Sequence, residues 1–74
     1  MAKLRLMSGA GDVCLAEWQA AEPESMELAR DAFTRESNRG CLAFRVDGPG
    51  KTSRIREFDE TAPEILLVPP VQGG

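Results

Sequence analysis

Glu64-Ile65-Leu66-Leu67-Val68 is the stretch that decides the fold. Its Ile65-Leu66-Leu67-Val68 part is apolar without the polar alternation of a half-solvated strand, which suits a strand in the middle of a sheet, covered on both faces or nearly so. It is also the last strand the sequence offers, so a late segment must be inserted among strands formed earlier. Pro69-Pro70 follows directly. Each proline fixes φ and lacks the N–H a ladder needs, so the strand stops at Val68.

Working back from it, Asp59-Glu60-Thr61-Ala62-Pro63 reads as a polar connection, and Thr52 to Phe58 as a strand whose charges suit a sheet edge. Asp47-Gly48-Pro49-Gly50 is a strong turn signal that joins this strand to Cys41-Leu42-Ala43-Phe44-Arg45-Val46. On that third strand Leu42, Phe44 and Val46 share one face. The Asp47 to Gly50 turn is not a phosphate loop, because no helix follows it and Lys51-Thr52 lacks the required spacing.

Upstream, Glu22-Pro23-Glu24-Ser25 starts a helix: proline suits the first helical position, and carboxylates favour the positive end of the dipole. Met26, Ala29, Ala32 and Phe33 recur at helical spacing as one apolar stripe opposite Glu27, Arg30, Asp31 and Arg35. Asn38-Arg39-Gly40 closes the segment with a basic residue and a left-handed glycine, so the predicted helix spans Pro23 to Asn38. At the start of the chain Lys3-Leu4-Arg5-Leu6-Met7 alternates as a half-buried strand does. Ser8-Gly9-Ala10-Gly11-Asp12 then forms a hairpin loop of the longer class, and Val13 to Trp18 resumes as the second strand.

The order is therefore ββαββ, an α+β chain. Placing the final strand between the two hairpins, parallel to the first strand, satisfies hydrogen bonds on both its edges. That arrangement is a β-grasp: one helix on a mixed sheet over residues 1–68, with residues 69–74 as an extended C-terminal tail.

Composition limits the function. Seventy-four residues allow one small domain, near the lower size limit for a core without staples and with no room for a deep substrate cleft. At 42% hydrophobic and 28% charged residues, the chain has the composition of a domain that folds by itself. A net charge of −3 repels phosphates, so no nucleic acid is expected as a partner. No apolar run approaches the roughly 20 residues that cross a bilayer, and the N-terminus lacks a signal peptide's apolar core. A cytoplasmic protein with no membrane partner is expected. The chain has no histidine, which removes the usual general base and every triad built on it. No acid, base and nucleophile converge, and the chain is not expected to be an enzyme. Cys14 and Cys41 have no companion ligand at metal spacing and read as small buried hydrophobes; nothing supports a disulfide between them.

The closing residues Val68-Pro69-Pro70-Val71-Gln72-Gly73-Gly74 resemble the tails of the small subunit of molybdopterin synthase and related sulfur carriers, where an apolar residue and two prolines precede the closing glycines. Element order and length also resemble ubiquitin and the thiamine sulfur carrier. The motif covers these seven residues, and the rest of the chain matches in element order alone. The resemblance implies that Gly73 and Gly74 form the activation site, presented by Pro69, Pro70, Val71 and Gln72. It implies no bound cofactor. A partner adenylating enzyme would use ATP to convert the Gly74 carboxylate to an acyl-adenylate, and a sulfur or nitrogen nucleophile of a downstream acceptor would then displace AMP. The product is either a thiocarboxylate, which donates sulfur, or an amide to a lysine, which makes a protein modifier. Lys3 and Lys51 are the only lysines and hence the candidate acceptors for self-linked chains, which leans away from a polymer-forming modifier. The free protein is expected to be a monomer.

Two other readings stay open. In one, the chain is a non-catalytic β-grasp interaction or assembly module, such as a component of a phage or bacterial complex, with a tail that docks and is never activated. In the other, the glycine pair is a plain terminus, or one cut or extended in the natural product. Trp18 reads as closing the edge of a small core. Arg45, Arg54 and Arg56 could form a basic patch on the second hairpin, but pairing with Asp47 and Glu57 on a solvated face is the favoured reading. The sheet face opposite the helix is expected to be exposed and to serve for docking.

Overall fold

In the computed structural model, which describes residues 1–9 and 11–70, the Glu64–Val68 run forms β5 at the centre of a five-stranded mixed sheet. The elements are β1 (Ala2–Ser8), β2 (Gly11–Trp18), α1 (Pro23–Asn38), β3 (Leu42–Gly48), β4 (Lys51–Ile55) and β5, and the sheet order is β2-β1-β5-β3-β4. β5 runs parallel to β1, with Leu4 beside Ile65 and Leu6 beside Leu67. It runs antiparallel to β3, with Leu42 beside Val68 and Phe44 beside Leu66. The protein is thus α+β, one helix against a mixed sheet, and both hairpins are joined only through the last strand.

The apolar run serves two faces. Ile65 and Leu67 are fully buried toward α1 with Leu4, Trp18, Ala29, Phe33 and Ala43. Glu64, Leu66 and Val68 point the other way and are only half-buried, so the strand is sealed on one face rather than on both. On α1, Ala29, Ala32 and Phe33 are buried and Met26 partly so, as the stripe predicts; Glu36 joins them, which the stripe did not include. Pro23 stands in the first turn, and the Gln19 N–H donates to Ser25 Oγ at 3.1 Å just before the helix. At the other end Gly40 has φ +98°. Its N–H donates to the Ser37 carbonyl at 2.9 Å and the Cys41 N–H to the Glu36 carbonyl at 3.2 Å, the paired bonds of a Schellman end.

Several expectations are corrected. The first hairpin is tight rather than long: pairing continues to Ser8 and Gly11, with the Ser8 hydroxyl donating to the Gly11 carbonyl and Gly11 at φ +116°. β4 ends at Ile55, three residues short of Phe58: Ile55 pairs with Ala43, and the next β3 residue, Leu42, pairs with β5 alone. The chain instead folds inward, and Phe58 packs on Trp18 and Phe33 at centroid distances of 4.9 and 5.9 Å. The polar connection carries buried Ala62, and its Glu60 carbonyl accepts the Trp18 indole N–H at 3.0 Å. Trp18 closes the core as expected. Cys14 is exposed and Cys41 half-exposed, both as free thiols, so neither is the buried hydrophobe the sequence suggested. Cys14 follows from a β-bulge at Leu15: Leu4 pairs with Ala16 but Arg5 with Cys14, which turns Cys14 to the face away from α1.

Truncation separates the two faces of β5. Leu67→Ala, at a fully buried position, is expected to cost about 3 kcal/mol in urea unfolding, and Leu66→Ala about 1 kcal/mol. Equal costs would show that β5 is buried alike on both sides.

Candidate functional site

Beyond Val68 the described chain continues through Pro69 and Pro70, both exposed and outside any strand. Val71, Gln72, Gly73 and Gly74 lie outside the described residues, so the geometry of the site concerns its root. That root lies over the helix end. A Cβ placed on Gly40 would stand 3.5 Å from Pro70 Cγ and 3.9 Å from its Cβ, so the left-handed glycine that closes α1 also floors the start of the tail. Beside it, burial and the Glu36 carboxylate push the Cys41 thiol up, while Arg39 acts in the opposite direction.

The sheet face turned away from α1 leads to the same place. Leu42, Phe44 and Val46 do share one face of β3, and it is this outer one; small Ala43 faces the helix instead. Cross-strand pairing sets Leu42 against Val68 and Phe44 against Leu66. The result is an apolar patch in which Leu42 is 40% exposed and the others are half-buried, and it ends where the tail begins. On the β4 side Arg54 stands opposite Phe44 and forms no ion pair among the described residues. On the β1 side Arg5 stands beside Leu66 but is held by Asp12 at 2.7 Å and Glu64 at 3.5 Å. An apolar centre with a thin polar rim is the usual make-up of a protein-binding surface.

The arginines do not form one patch. Arg45 stands opposite Ser53 and Phe44 opposite Arg54, so Arg45 and Arg54 project from opposite faces. The Arg45 guanidinium meets Asp47 at 3.0 and 3.1 Å, as expected, and its other partners are Asp59 at 2.7 Å and the Thr61 hydroxyl at 2.9 Å rather than Glu57. Thr61 donates its hydroxyl to Asp59 at 2.6 Å and its backbone N–H to the same oxygen at 3.0 Å. These bonds, the Thr61 hydroxyl first and Arg45 next, hold the Asp59 carboxyl below the usual carboxylate range, and the two aspartates raise the Arg45 guanidinium further. The cluster fixes the β4–β5 connection. The candidate acceptors Lys3, on β1, and Lys51, on β4, are both exposed and are kept apart by β5 and β3. Among the described residues no group of three or more Cys, Asp or Glu could hold a metal ion, and no helix is long and apolar enough to cross a membrane.

Because Asp59 is more acidic folded than unfolded, its contribution is fully present above about pH 4 and disappears as pH falls through the folded value. Asp59→Asn is therefore expected to lower the thermal midpoint at pH 7. The difference from the parent should vanish toward pH 2, and a difference that persists there would show that the carboxylate charge is not what matters.

Compared with models of protein families, with curated proteins and with solved structures, the chain matches none significantly.

Proposed function

We propose that this chain is a ubiquitin-like carrier or modifier of β-grasp fold, whose Gly74 carboxylate is activated by a partner adenylating enzyme. The observation that carries the reading is the position of β5: central, parallel to β1, and delivering Val68-Pro69-Pro70 to the sheet end where the outer apolar patch stops. The order β2-β1-β5-β3-β4 with one helix supports the β-grasp assignment. A partner seated on Leu42, Phe44, Leu66 and Val68 stands at the root of the tail, Pro69-Pro70, so docking brings it to the segment that leads to the terminus. Ionised at neutral pH, the carboxylate attacks the α-phosphorus of ATP in that partner and releases pyrophosphate. A sulfur or nitrogen nucleophile then attacks the acyl carbon, and AMP leaves. The chain itself supplies surface and substrate, not catalytic groups. A docking module whose tail is never activated would use the same patch, and the chemistry at Gly74 separates the two.

Intact mass spectrometry of the protein expressed in its native cells is expected to show oxygen-to-sulfur exchange at Gly74, or a covalent adduct through it. Deleting Gly73-Gly74 should abolish the product without moving the thermal midpoint. Leu42→Asp, at an exposed position, should reduce product formation at least about tenfold. A plain carboxylate that persists with activating enzyme and ATP present would refute the proposal in favour of the docking module.

A further inference from the structure

Among the described residues β2 is a free edge of the sheet. Between it and α1 runs an open groove of about 450 Å³. The bulge builds its floor: Leu15 is the extra residue, so Leu15 and Ala16, adjacent in sequence, both line the groove and pack against the core. On the helix wall Leu28 stands one turn before buried Ala32 and is 67% exposed. The helix side of the rim is acidic: Asp31 lines it, and Glu24 continues the Leu28–Asp31 stripe one turn earlier. The groove's one arginine, Arg35, lies 3.6 Å from the Glu36 carboxylate and is partly neutralised.

We infer that this groove binds an extended segment of a partner protein, aliphatic at alternate positions and flanked by lysine or arginine, added as a strand along the free edge of β2. A free sheet edge offers main-chain hydrogen bonds to an extended chain, and alternate side chains of that chain then reach the apolar floor. The acidic rim selects basic flanks. A second copy of this chain is the poorer occupant, because antiparallel addition about the middle of β2 would set Asp12 opposite Glu17 twice. The groove lies on the opposite side of the sheet from the Leu42–Val68 patch, so this inference stands whether or not Gly74 is ever activated.

The test is an NMR titration of the isotope-labelled full chain with acetyl-Lys-Ile-Val-Ile-Val-Lys-amide and with the same peptide flanked by glutamate. Shift changes are expected only over Gly11–Trp18 and Leu28–Arg35, with a dissociation constant below about 1 mM and at least about fivefold weaker binding of the glutamate peptide. Leu28→Asp, a surface change whose folding is checked by the thermal midpoint, should weaken binding as much. Asp31→Lys should bring the two peptides to similar affinity. Equal binding of both peptides to the parent, shifts centred on Leu42–Val46, or no shifts at several millimolar peptide would overturn the inference. Self-association that moves the β2 amides without peptide would overturn it in favour of a second copy.

Discussion

Pairing of β5 with β1 is the interaction on which the rest depends. Each hairpin alone is a two-stranded ribbon, marginal in water. Only β5 joins them, through Leu4 beside Ile65 on one edge and Phe44 beside Leu66 on the other. The helix stripe also rests on it, since Ala29, Ala32 and Phe33 share one core with Ile65 and Leu67. Closing the sheet therefore brings together strands from opposite ends of the chain, at a loop-closure cost that the buried face of β5 has to offset. The same constraint decides where the chain goes next. A central strand hands whatever follows it to the end of the sheet, between neighbours on both sides, and not to a free edge.

Side-chain size divides the molecule along the same line. Four alanines, Ala29, Ala32, Ala43 and Ala62, sit in the buried cluster, and they let α1 and the β4–β5 connection approach the sheet closely. The aromatic bulk is gathered at one end, where Phe58 packs tilted on Trp18 and edge-on to Phe33 and Arg30 lies over the Phe58 ring at 5.6 Å. With Ala43 facing the helix, the larger Leu42, Phe44 and Val46 necessarily fall on the opposite face. The outer apolar patch is thus the counterpart of a tightly approached helix.

Much of the fold was legible because its signals are local. Pro23, the 26–29–32–33 spacing and Gly40 fix the helix to its observed ends, and Pro69 fixes the end of β5. The central place of β5 was legible from its unbroken apolar run. What escaped depends on distant partners. That Ile65 and Leu67 face the core while Leu66 and Val68 face outward is decided by register against Leu4 and Ala43. β4 stops at Ile55 because the chain turns there toward the core, where Phe58 packs on Trp18 and Phe33, which no feature of residues 52–58 announces. The Leu15 bulge breaks the alternation by one residue and exposes Cys14, and Arg45 chose Asp59 over Glu57 because the connection folds back toward the helix. At the candidate site, the tail was read from its composition, whereas its seat on Gly40 and its continuity with Leu42 required the fold.

The two surfaces differ in how they would hold a partner, and the difference follows from the strands that build them. The Leu42–Val68 patch lies on β3 and β5, whose backbones are paired on both sides, so it offers side chains alone and its affinity has to come from buried apolar area. β2 is paired on one side only, so the groove beside it adds main-chain hydrogen bonds, whose direction and register select an extended occupant. Charge separates them again, since Asp31 edges the groove whereas Arg54 edges the patch. A partner suited to one is therefore mismatched to the other in both shape and sign. With the sheet between them, neither surface blocks the other, so under the two proposals one partner would take the edge of β2 while another met the tail root.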